Sequence, residues 1–200
     1  LTCFLSFSSK YENVPVIFLF PNVFALAEIR YFMVIVSFEG IEYHIYNASL
    51  FENDRVINFK EKQWEKHLAI NLYAPLKLSQ DFFNNLPKNN EAHIINILDQ
   101  NVINPDKNFF SYSISKYGLH GSTKILAKEF APYTLVNSVG PGPTLKNIHQ
   151  SEKHFKNKKN STLLKNGSPP VEISNTVKFI LKSKSMTGQL IIVDGGEHIS

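Results

Sequence analysis

The chain has 200 residues, of which 43% are apolar and 19% are charged, so it can bury one sizeable hydrophobic core. A single cysteine excludes a disulfide framework, and no Cys or His group has metal-ligand spacing, so we expect a cytoplasmic protein without a metal site. Much of the net charge of +4 lies in one lysine-rich run, which is typical of a solvated loop, and we therefore expect no nucleic-acid partner.

Residues 1–40 form an atypical segment that is strongly aromatic and fits no strand-helix unit. Its most apolar part, VPVIFLFPNVFALA (residues 14–27), is interrupted by Pro21 and Asn22 and is shorter than the roughly 20 residues that span a membrane. No membrane partner is therefore expected. The run could be a signal-peptide core, because residues 25–27 resemble a cleavage site, or it could be a buried strand or helix.

From residue 41 onward, short apolar runs alternate with helical periods. The runs are YHIYNAS (43–49), HIINIL (93–98), TLVNSVG (134–140) and QLIIVDGG (189–196). Such runs are typical of strands buried on both faces of a parallel sheet. Apolar side chains recur at helical spacing in residues 119–130 and again in residues 173–181, just after Pro169 and Pro170. The predicted fold class is therefore α/β, with a mostly parallel sheet flanked by helices.

Three residues of the stretch NILDQNVINPDKNFFSYSISKYGLHG (96–121) form a candidate catalytic group. Tyr112 and Lys116 are four residues apart and therefore share one face of a helix predicted to begin near residue 110. A neighbouring ammonium favours the phenolate, so Lys116 should lower the pKa of Tyr112 from about 10 toward neutrality. Asp99 follows a predicted strand at the sheet edge where α/β proteins bind ligands. The alternative is a surface tyrosine beside a lysine, because Y-x-x-x-K is a common chance match.

The longer stretch FFSYSISKYGLHGSTKILAKEFAPYTLVNSVGPGPT (109–144) resembles the core of the short-chain dehydrogenase/reductase family. MTGQLIIVDGG (186–196) is similar to the family's last strand and closing turn, YNAS (46–49) to its Asn-Asn-Ala-Gly strand end, and AINLYAP (69–75) to its structural asparagine segment. The resemblance covers about residues 43–198 and implies a Rossmann-like fold with NADP, or alternatively NAD, as the cofactor. It also implies catalytic roles for Tyr112, Lys116 and Asn71. The cofactor site that it implies consists of Asn47, Ala48, Tyr112, Lys116, Pro141, Gly142 and Thr144.

Asp99 takes the position at which most of the family has a substrate-binding serine. This replacement resembles the pteridine reductase and dihydromonapterin reductase branch, in which an aspartate near the tyrosine hydrogen-bonds the pterin. A carboxylate can accept several N–H groups, whereas a serine accepts one or two. The resemblance implies hydride transfer from NAD(P)H to a C=N or C=O bond of a small molecule, with a pterin as the candidate substrate and Asp99 as a catalytic residue. The alternative is that Asp99 merely caps the turn after its strand.

Asn71 lies four residues before Pro75 in a predicted helix. Proline has no N–H, so the main-chain oxygen of Asn71 loses its helical partner and is available to hold a water. We expect this oxygen to point toward the Lys116 ammonium, where a water would extend a proton relay from Tyr112 to solvent. The alternative is that Pro75 simply kinks the helix.

LKNIHQSEKHFKNKKNSTLLKNGSPP (145–170) lies where the family usually has a mobile lid over the substrate. Its lysines favour a segment that stays solvated, and the alternative is contact with an acidic substrate or with cofactor phosphates. His149 and His154 are expected to be surface residues.

The chain departs from the family at its start. The family opens with a glycine-rich turn that binds the cofactor pyrophosphate, but residues 1–39 contain no glycine. We therefore expect an N-terminally truncated or altered reductase, in which VIFLF (16–20) or YFMVIV (31–36) pairs with the 43–49 strand as a substitute. The alternative is a catalytically inactive remnant or an association module. The family's oligomer helices imply a homodimer or homotetramer.

Overall fold

Within the described residues, six strands form one sheet and follow one another in chain order. The computed structural model describes residues 41–87, 90–146 and 150–200 in full, and the backbone of residues 16–18 and 33–38. Its strands are β1 (Val16–Phe18), β2 (Met33–Phe38), β3 (Ile41–Tyr46), β4 (Ala92–Ile97), β5 (Thr134–Pro141) and β6 (Leu190–Val193). β3 to β6 are parallel, whereas β1 and β2 run antiparallel to their neighbours. The mostly parallel sheet predicted from the sequence is confirmed.

Helices connect the parallel strands, as the alternating sequence pattern predicts. α1 (Glu61–Leu68), a π-helical turn (Ala69–Tyr73) and α2 (Ala74–Asn85) join β3 to β4, and α3 (Phe110–Glu129) joins β4 to β5. α4 (Glu152–Ser161) and α5 (Pro170–Lys182) lie between β5 and β6. The α/β, Rossmann-like fold class is thereby confirmed. No helix in these ranges is long and apolar enough to cross a membrane.

β3, β4 and β5 contribute buried side chains to both faces of the sheet, since successive side chains of a strand point to opposite sides. One core layer joins the strands to α2 and α3 and consists of Tyr46, Phe82, Ala92, Ile94, Ala127, Phe130 and Val136. The other layer joins them to α5 and consists of Ile45, Ile95, Ile97, Val139, Ile173, Val177 and Ile180. β4 therefore places isoleucines in both layers, which is why its sequence, AHIINI, shows no regular alternation of apolar and polar residues.

β2 occupies the position predicted for a substitute strand beside β3. The two pair antiparallel, with Met33 opposite Tyr46 and Phe38 opposite Ile41. β1 pairs with β2, so residues 16–18 of the predicted run 16–20 lie one strand further out in the sheet than β2. Most of the atypical segment 1–40, including the cleavage-like residues 25–27, lies outside the described residues. Its truncated or altered origin and the boundary at residue 40 stay predictions.

Candidate active site

The carboxyl edge of β4 and the start of α3 bring Asp99, Tyr112 and Lys116 together. The Tyr112 hydroxyl donates a hydrogen bond of 2.6 Å to Asp99 Oδ2. Lys116, one turn further along α3, donates from Nζ to the main-chain oxygen of Ile97 at 2.9 Å. Its Nζ lies 5.9 Å from the centre of the Tyr112 ring. The convergence expected from the sequence spacing is present, and the catalytic roles of these residues stay predictions.

Asp99 also caps the short turn that follows β4. Its Oδ1 accepts the main-chain N–H of Asn101 at 2.8 Å, and its own backbone is extended, with φ −161° and ψ 152°. Capping uses one carboxylate oxygen and leaves Oδ2 to face Tyr112. The capping role and the contact with Tyr112 are therefore compatible, because the two oxygens serve different partners.

Burial governs the proton affinities of the three groups. Tyr112 and Lys116 expose 3% and 2% of their surfaces, and Asp99 is half-buried. Desolvation raises the pKa of Asp99, against the opposing effect of the hydrogen bonds from Tyr112 and Asn101. Burial and then the Asp99 carboxylate hold the pKa of Tyr112 well above its usual value. Burial lowers the pKa of Lys116 to about 8.

The expectation that Lys116 lowers the pKa of Tyr112 is wrong for this arrangement. The phenol donates to a carboxylate, so ionising Tyr112 would break that bond and leave two negative charges side by side. The Lys116 ammonium meanwhile bonds to the Ile97 carbonyl. Tyr112 therefore stays protonated as long as its hydroxyl donates to the Asp99 carboxylate.

Lys116→Met is expected to abolish a rise in stability at alkaline pH. The pKa of Lys116 is about 8 in the folded protein, against an ordinary value of 10.5. Between these values the unfolded chain holds a proton that the folded chain lacks, so the free energy of unfolding rises by roughly 3 kcal/mol from pH 8 to pH 10.5. Denaturant unfolding at the two pH values measures this rise.

The matched control is Lys124→Met, which replaces an exposed lysine of the same helix and should keep the rise. If the free energy of unfolding of Lys116→Met rises with pH as steeply as that of the wild type, Lys116 is not the group that causes the rise.

Asn71 clamps the loop after β3 with its side chain. Its Oδ1 accepts the Leu50 N–H at 2.8 Å, and its Nδ2 donates to the Leu50 oxygen at 2.9 Å and to Ser115 Oγ at 3.0 Å. The backbone is π-helical at this point, where Pro75 offers no N–H, so the predicted irregularity of the helix is present. The approach of the Asn71 main-chain oxygen to Lys116 stays a prediction. The side-chain clamp was not expected from the sequence.

A cavity of about 750 Å³ opens at the carboxyl edge of the sheet, within the size range of cofactor sites. Asp99, Tyr112 and Lys116 line it. The predicted cofactor residues on its wall are Asn47, Pro141, Gly142 and Thr144. Ala48 lies between two lining residues of the loop after β3, whereas Asn71 is buried behind that loop, with 1% of its surface exposed.

The loop at Gly142 has a tightly determined backbone. The Gly142 N–H lies 2.9 Å from Ser168 Oγ and 3.1 Å from the Val193 oxygen. A Cβ at Gly142 would lie 2.7 Å from the Cβ of Asp194, closer than real Cβ contacts allow. Glycine is therefore required here, because a side chain at this position would collide with Asp194.

α4 lies in the interval predicted to be a solvated lid, and none of its side chains is buried. One side of it nevertheless faces the cavity, through His154, Phe155 and Lys158. Lys158 forms an ion pair of 2.5 Å with the buried carboxylate of Glu197. His154 is exposed, as expected, and His149 lies outside the described residues.

Two aromatic residues with no role predicted from the sequence form a wall of the cavity. The rings of Phe51 and Phe109 stack with their centres 4.3 Å apart, and Phe51 meets the Tyr112 ring edge-on at 4.7 Å. Phe109 stands three residues before Tyr112, and Phe51 directly follows the YNASL segment. Their positions next to two recognised motifs were the only feature of the sequence that could have indicated a place in the site. The contact between the two rings depends on the fold.

A parallel α/β sheet with Asp99, Tyr112 and Lys116 in a cavity at its carboxyl edge has the ligand-site position of a Rossmann-like fold. The family model described as enoyl-(acyl carrier protein) reductase matches residues 32–198. The chain belongs to the short-chain dehydrogenase/reductase family.

Relatives of known activity reduce different substrates. The chain is 31% identical over 164 residues to the 3-oxoacyl-[acyl-carrier-protein] reductase FabG of Aquifex aeolicus, covering 79% of this chain and 66% of that protein. It is 30% identical over 108 residues to dihydromonapterin reductase of Escherichia coli, covering 54% and 45%. The structure of FolM alternative dihydrofolate reductase 1 from Brucella suis in complex with NADP matches with a TM-score of 0.77 and 35% identity, covering 79% and 64%. The chain thus spans about two thirds or less of the length of these proteins.

Proposed function

We propose that the protein is an NADPH-dependent reductase that adds hydride to a C=N bond of a pterin-like substrate. The observation that carries this proposal is the 2.6 Å hydrogen bond between Tyr112 and Asp99, next to Lys116. A carboxylate accepts hydrogen bonds and cannot donate them, so it suits the N–H groups of a pterin and opposes a carbonyl oxygen. Similarity to dihydromonapterin reductase and to the NADP complex of FolM alternative dihydrofolate reductase supports the pterin class, and NADP over NAD.

The cavity offers a flat heterocycle both a polar edge and an apolar face. Asp99 Oδ2 is an acceptor for the amino and ring N–H groups of such a substrate, and a charged acceptor makes the stronger hydrogen bonds. The stacked rings of Phe51 and Phe109 supply an aromatic wall beside it. This combination favours a planar, nitrogen-rich ring over a flexible acyl chain.

Reduction of a C=N bond places a hydride on carbon and a proton on nitrogen. NADPH, when bound, would supply the hydride with its electron pair and would leave as NADP⁺. Tyr112 supplies the proton from Oη, so that the C=N bond becomes CH–NH and the phenol becomes a phenolate. Lys116, with its pKa of about 8, is charged at pH 7 and stabilises that phenolate. The residues that would hold the nicotinamide end are Asn47, Ala48, Pro141, Gly142 and Thr144.

Substrate binding weakens the effect by which Asp99 raises the pKa of Tyr112. In the free site the Asp99 carboxylate helps to raise the pKa of Tyr112. A substrate N–H that bonds to Asp99 competes with the Tyr112 hydroxyl for Oδ2 and neutralises part of its charge, so the phenol becomes a better donor when the substrate is in place. Asn71 contributes by holding the loop that carries Ser49 and Leu50 beside this site.

A second candidate is a catalytically silent protein whose remaining role is association. The observation behind it is that residues 1–39 contain no glycine, whereas the family's pyrophosphate-binding turn is glycine-rich. α3 also presents exposed apolar side chains, with 39% of Ile114, 37% of Tyr117 and 67% of Ile125 exposed. That face suits a homodimer or homotetramer under either candidate, so oligomeric state does not separate them. Binding of the cofactor separates the two candidates.

NADPH is expected to raise the melting temperature of the full chain. At about 100 times its Kd, a ligand that binds the folded state adds about 2.7 kcal/mol, which corresponds to roughly 5–10 °C for a chain of this size. Differential scanning fluorimetry with NADPH and with NADH measures the shift and the preference between the two. A melting temperature that neither dinucleotide changes would contradict the reductase and favour the silent protein.

A further inference from the structure

A buried aspartate, serine and histidine lie at the start of α3 and have no part in the chemistry above. The Ser111 N–H donates to Asp54 Oδ1 at 3.0 Å, and Ser111 Oγ donates to Asp54 Oδ2 at 2.5 Å. The same Oγ lies 2.6 Å from His67 Nδ1. Asp54 exposes 8% of its surface, and Ser111 and His67 expose none. Burying a polar group without a hydrogen-bond partner costs free energy of folding. The partners of these three side chains therefore indicate what the side chains do.

These contacts determine where each proton lies. A carboxylate only accepts, so Ser111 gives its single hydroxyl proton to Asp54. Ser111 Oγ can then only accept from the ring, which places the proton of His67 on Nδ1. Burial lowers the pKa of His67, so the ring is neutral, and its Nε2 is buried without a partner in the described part of the chain. The hydrogen bonds therefore run in one direction, from His67 through Ser111 to Asp54.

Asp54 completes the N-terminus of α3, whose own cap residue makes no side-chain hydrogen bond. Besides the Ser111 N–H, Asp54 accepts the Phe110 N–H with its main-chain oxygen at 3.2 Å and donates its own N–H to the Asn108 oxygen at 3.0 Å. A carboxylate at this position also meets the positive end of the helix dipole. One residue of the loop after β3 thus determines the path of the backbone that leads directly into Tyr112.

The same residues surround the Tyr112 ring. His67 meets that ring edge-on at 6.2 Å, and Phe51, three residues before Asp54, meets it edge-on at 4.7 Å. We propose that Asp54, Ser111 and His67 are positioning residues, whose hydrogen-bond relay holds the Tyr112 hydroxyl against Asp99. As a statement about catalysis, this inference rests on the reductase function proposed above.

The direction of the relay excludes a serine nucleophile. In nucleophilic catalysis the histidine takes the proton of the serine. Ser111 instead accepts from His67 and donates to the carboxylate. Neither Ser111 nor His67 has any exposed surface, so a substrate cannot reach them. The cluster therefore acts through Tyr112 and not on a substrate of its own.

Nitrogen-15 NMR of the full chain tests the relay without any need for activity. The wild type is expected to carry the His67 proton on Nδ1. Asp54→Asn keeps the acceptor for the Ser111 N–H but replaces Oδ2 with a donor, so Ser111 must donate to His67 and the ring proton moves to Nε2. A wild-type ring protonated on Nε2, or an unchanged tautomer in folded Asp54→Asn, would overturn the relay.

Ser111→Ala tests the positioning role, with Ser122→Ala as the matched control. Ser122 lies on the same helix, and its hydroxyl bonds to the Gly118 oxygen. With ¹³C-labelled tyrosine, the Cζ signal of Tyr112, assigned with Tyr112→Phe, should move in Ser111→Ala and stay unchanged in Ser122→Ala. Turnover of Ser111→Ala should fall about 10- to 100-fold at an unchanged KM for NADPH.

The outcomes separate the two proposals. An unmoved Tyr112 signal in Ser111→Ala, or wild-type turnover in that variant, would overturn the positioning role. If the NMR results are as expected but the wild type shows no turnover, the hydrogen-bond relay is supported and the reductase function is contradicted.

Discussion

Tyr112→Phe is expected to slow dihydropterin reduction by about 10²- to 10⁴-fold, the range that a single general acid contributes. Phenylalanine keeps the ring and its edge-on contacts with Phe51 and His67 but removes the hydroxyl that bonds to Asp99. The Kd for NADPH should stay within about a factor of two, because the loss is confined to the transition state. Single-turnover kinetics with protein preloaded with NADPH separates the chemical step from binding.

Tyr117→Phe is the matched control, since Tyr117 lies on α3 with 37% of its surface exposed and outside the cavity lining. It should turn over at the wild-type rate. Wild-type turnover by Tyr112→Phe would instead show that the proton has another source. Asp99 would then be the next candidate, because burial raises its pKa.

Asp99→Ser is expected to lower kcat/KM for a dihydropterin by about 10²- to 10³-fold. The pterin N–H groups lose a charged acceptor, and hydrogen bonds to charged groups contribute roughly 1.5–3 kcal/mol each. A serine hydroxyl can donate to a carbonyl oxygen, so the ratio of activity on a 3-oxoacyl substrate to activity on a dihydropterin should rise. Parallel assays of both substrates with NADPH measure this ratio.

Asp81→Ser is the control for this change, because Asp81 is an exposed residue of α2 paired with Lys77. It should leave the substrate ratio as it is in the wild type. An Asp99→Ser protein with the same ratio would mean that Asp99 does not select the substrate and serves the turn after β4 alone.

The central parallel strands, β4 and β5, could be predicted because they are buried on both faces. HIINIL and TLVNSVG carry apolar side chains at successive positions, and each lies in the sheet within one residue of the predicted bounds. The helix at residues 152–161 could not be predicted in the same way. It is lysine-rich and buries no side chain, so no apolar period marks it.

The meeting of Asp99, Tyr112 and Lys116 could also be predicted, since it follows from helical spacing and from the ends of parallel strands. The direction in which the pKa of Tyr112 is shifted could not be predicted. The sequence shows a cation nearby, but its effect depends on burial and on which group the phenol contacts. In the structure the phenol contacts a carboxylate and the ammonium contacts a carbonyl, and the direction of the shift is reversed.

The relay of Asp54, Ser111 and His67 had no sequence signal. Asp54 and Ser111 are separated by 57 residues, and Ser111 and His67 by 44. Each lies in a segment whose local pattern is explained by other features: a loop, a helix start and an amphipathic helix. Long-range polar contacts of this kind emerge only when the elements are packed together.

Transfer of deuterium from the reduced cofactor to the product tests most directly whether this site reduces a C=N bond. Protein with [4,4-²H₂]NADPH and a dihydropterin should yield a reduced pterin that carries one deuterium on carbon, with the rate of its appearance falling in Tyr112→Phe and in Asp99→Ser. Mass spectrometry of the product gives the answer. A chain that binds NADPH yet yields no deuterated pterin would contradict the claim that Asp99, Tyr112 and Lys116 form a site for reducing a C=N bond.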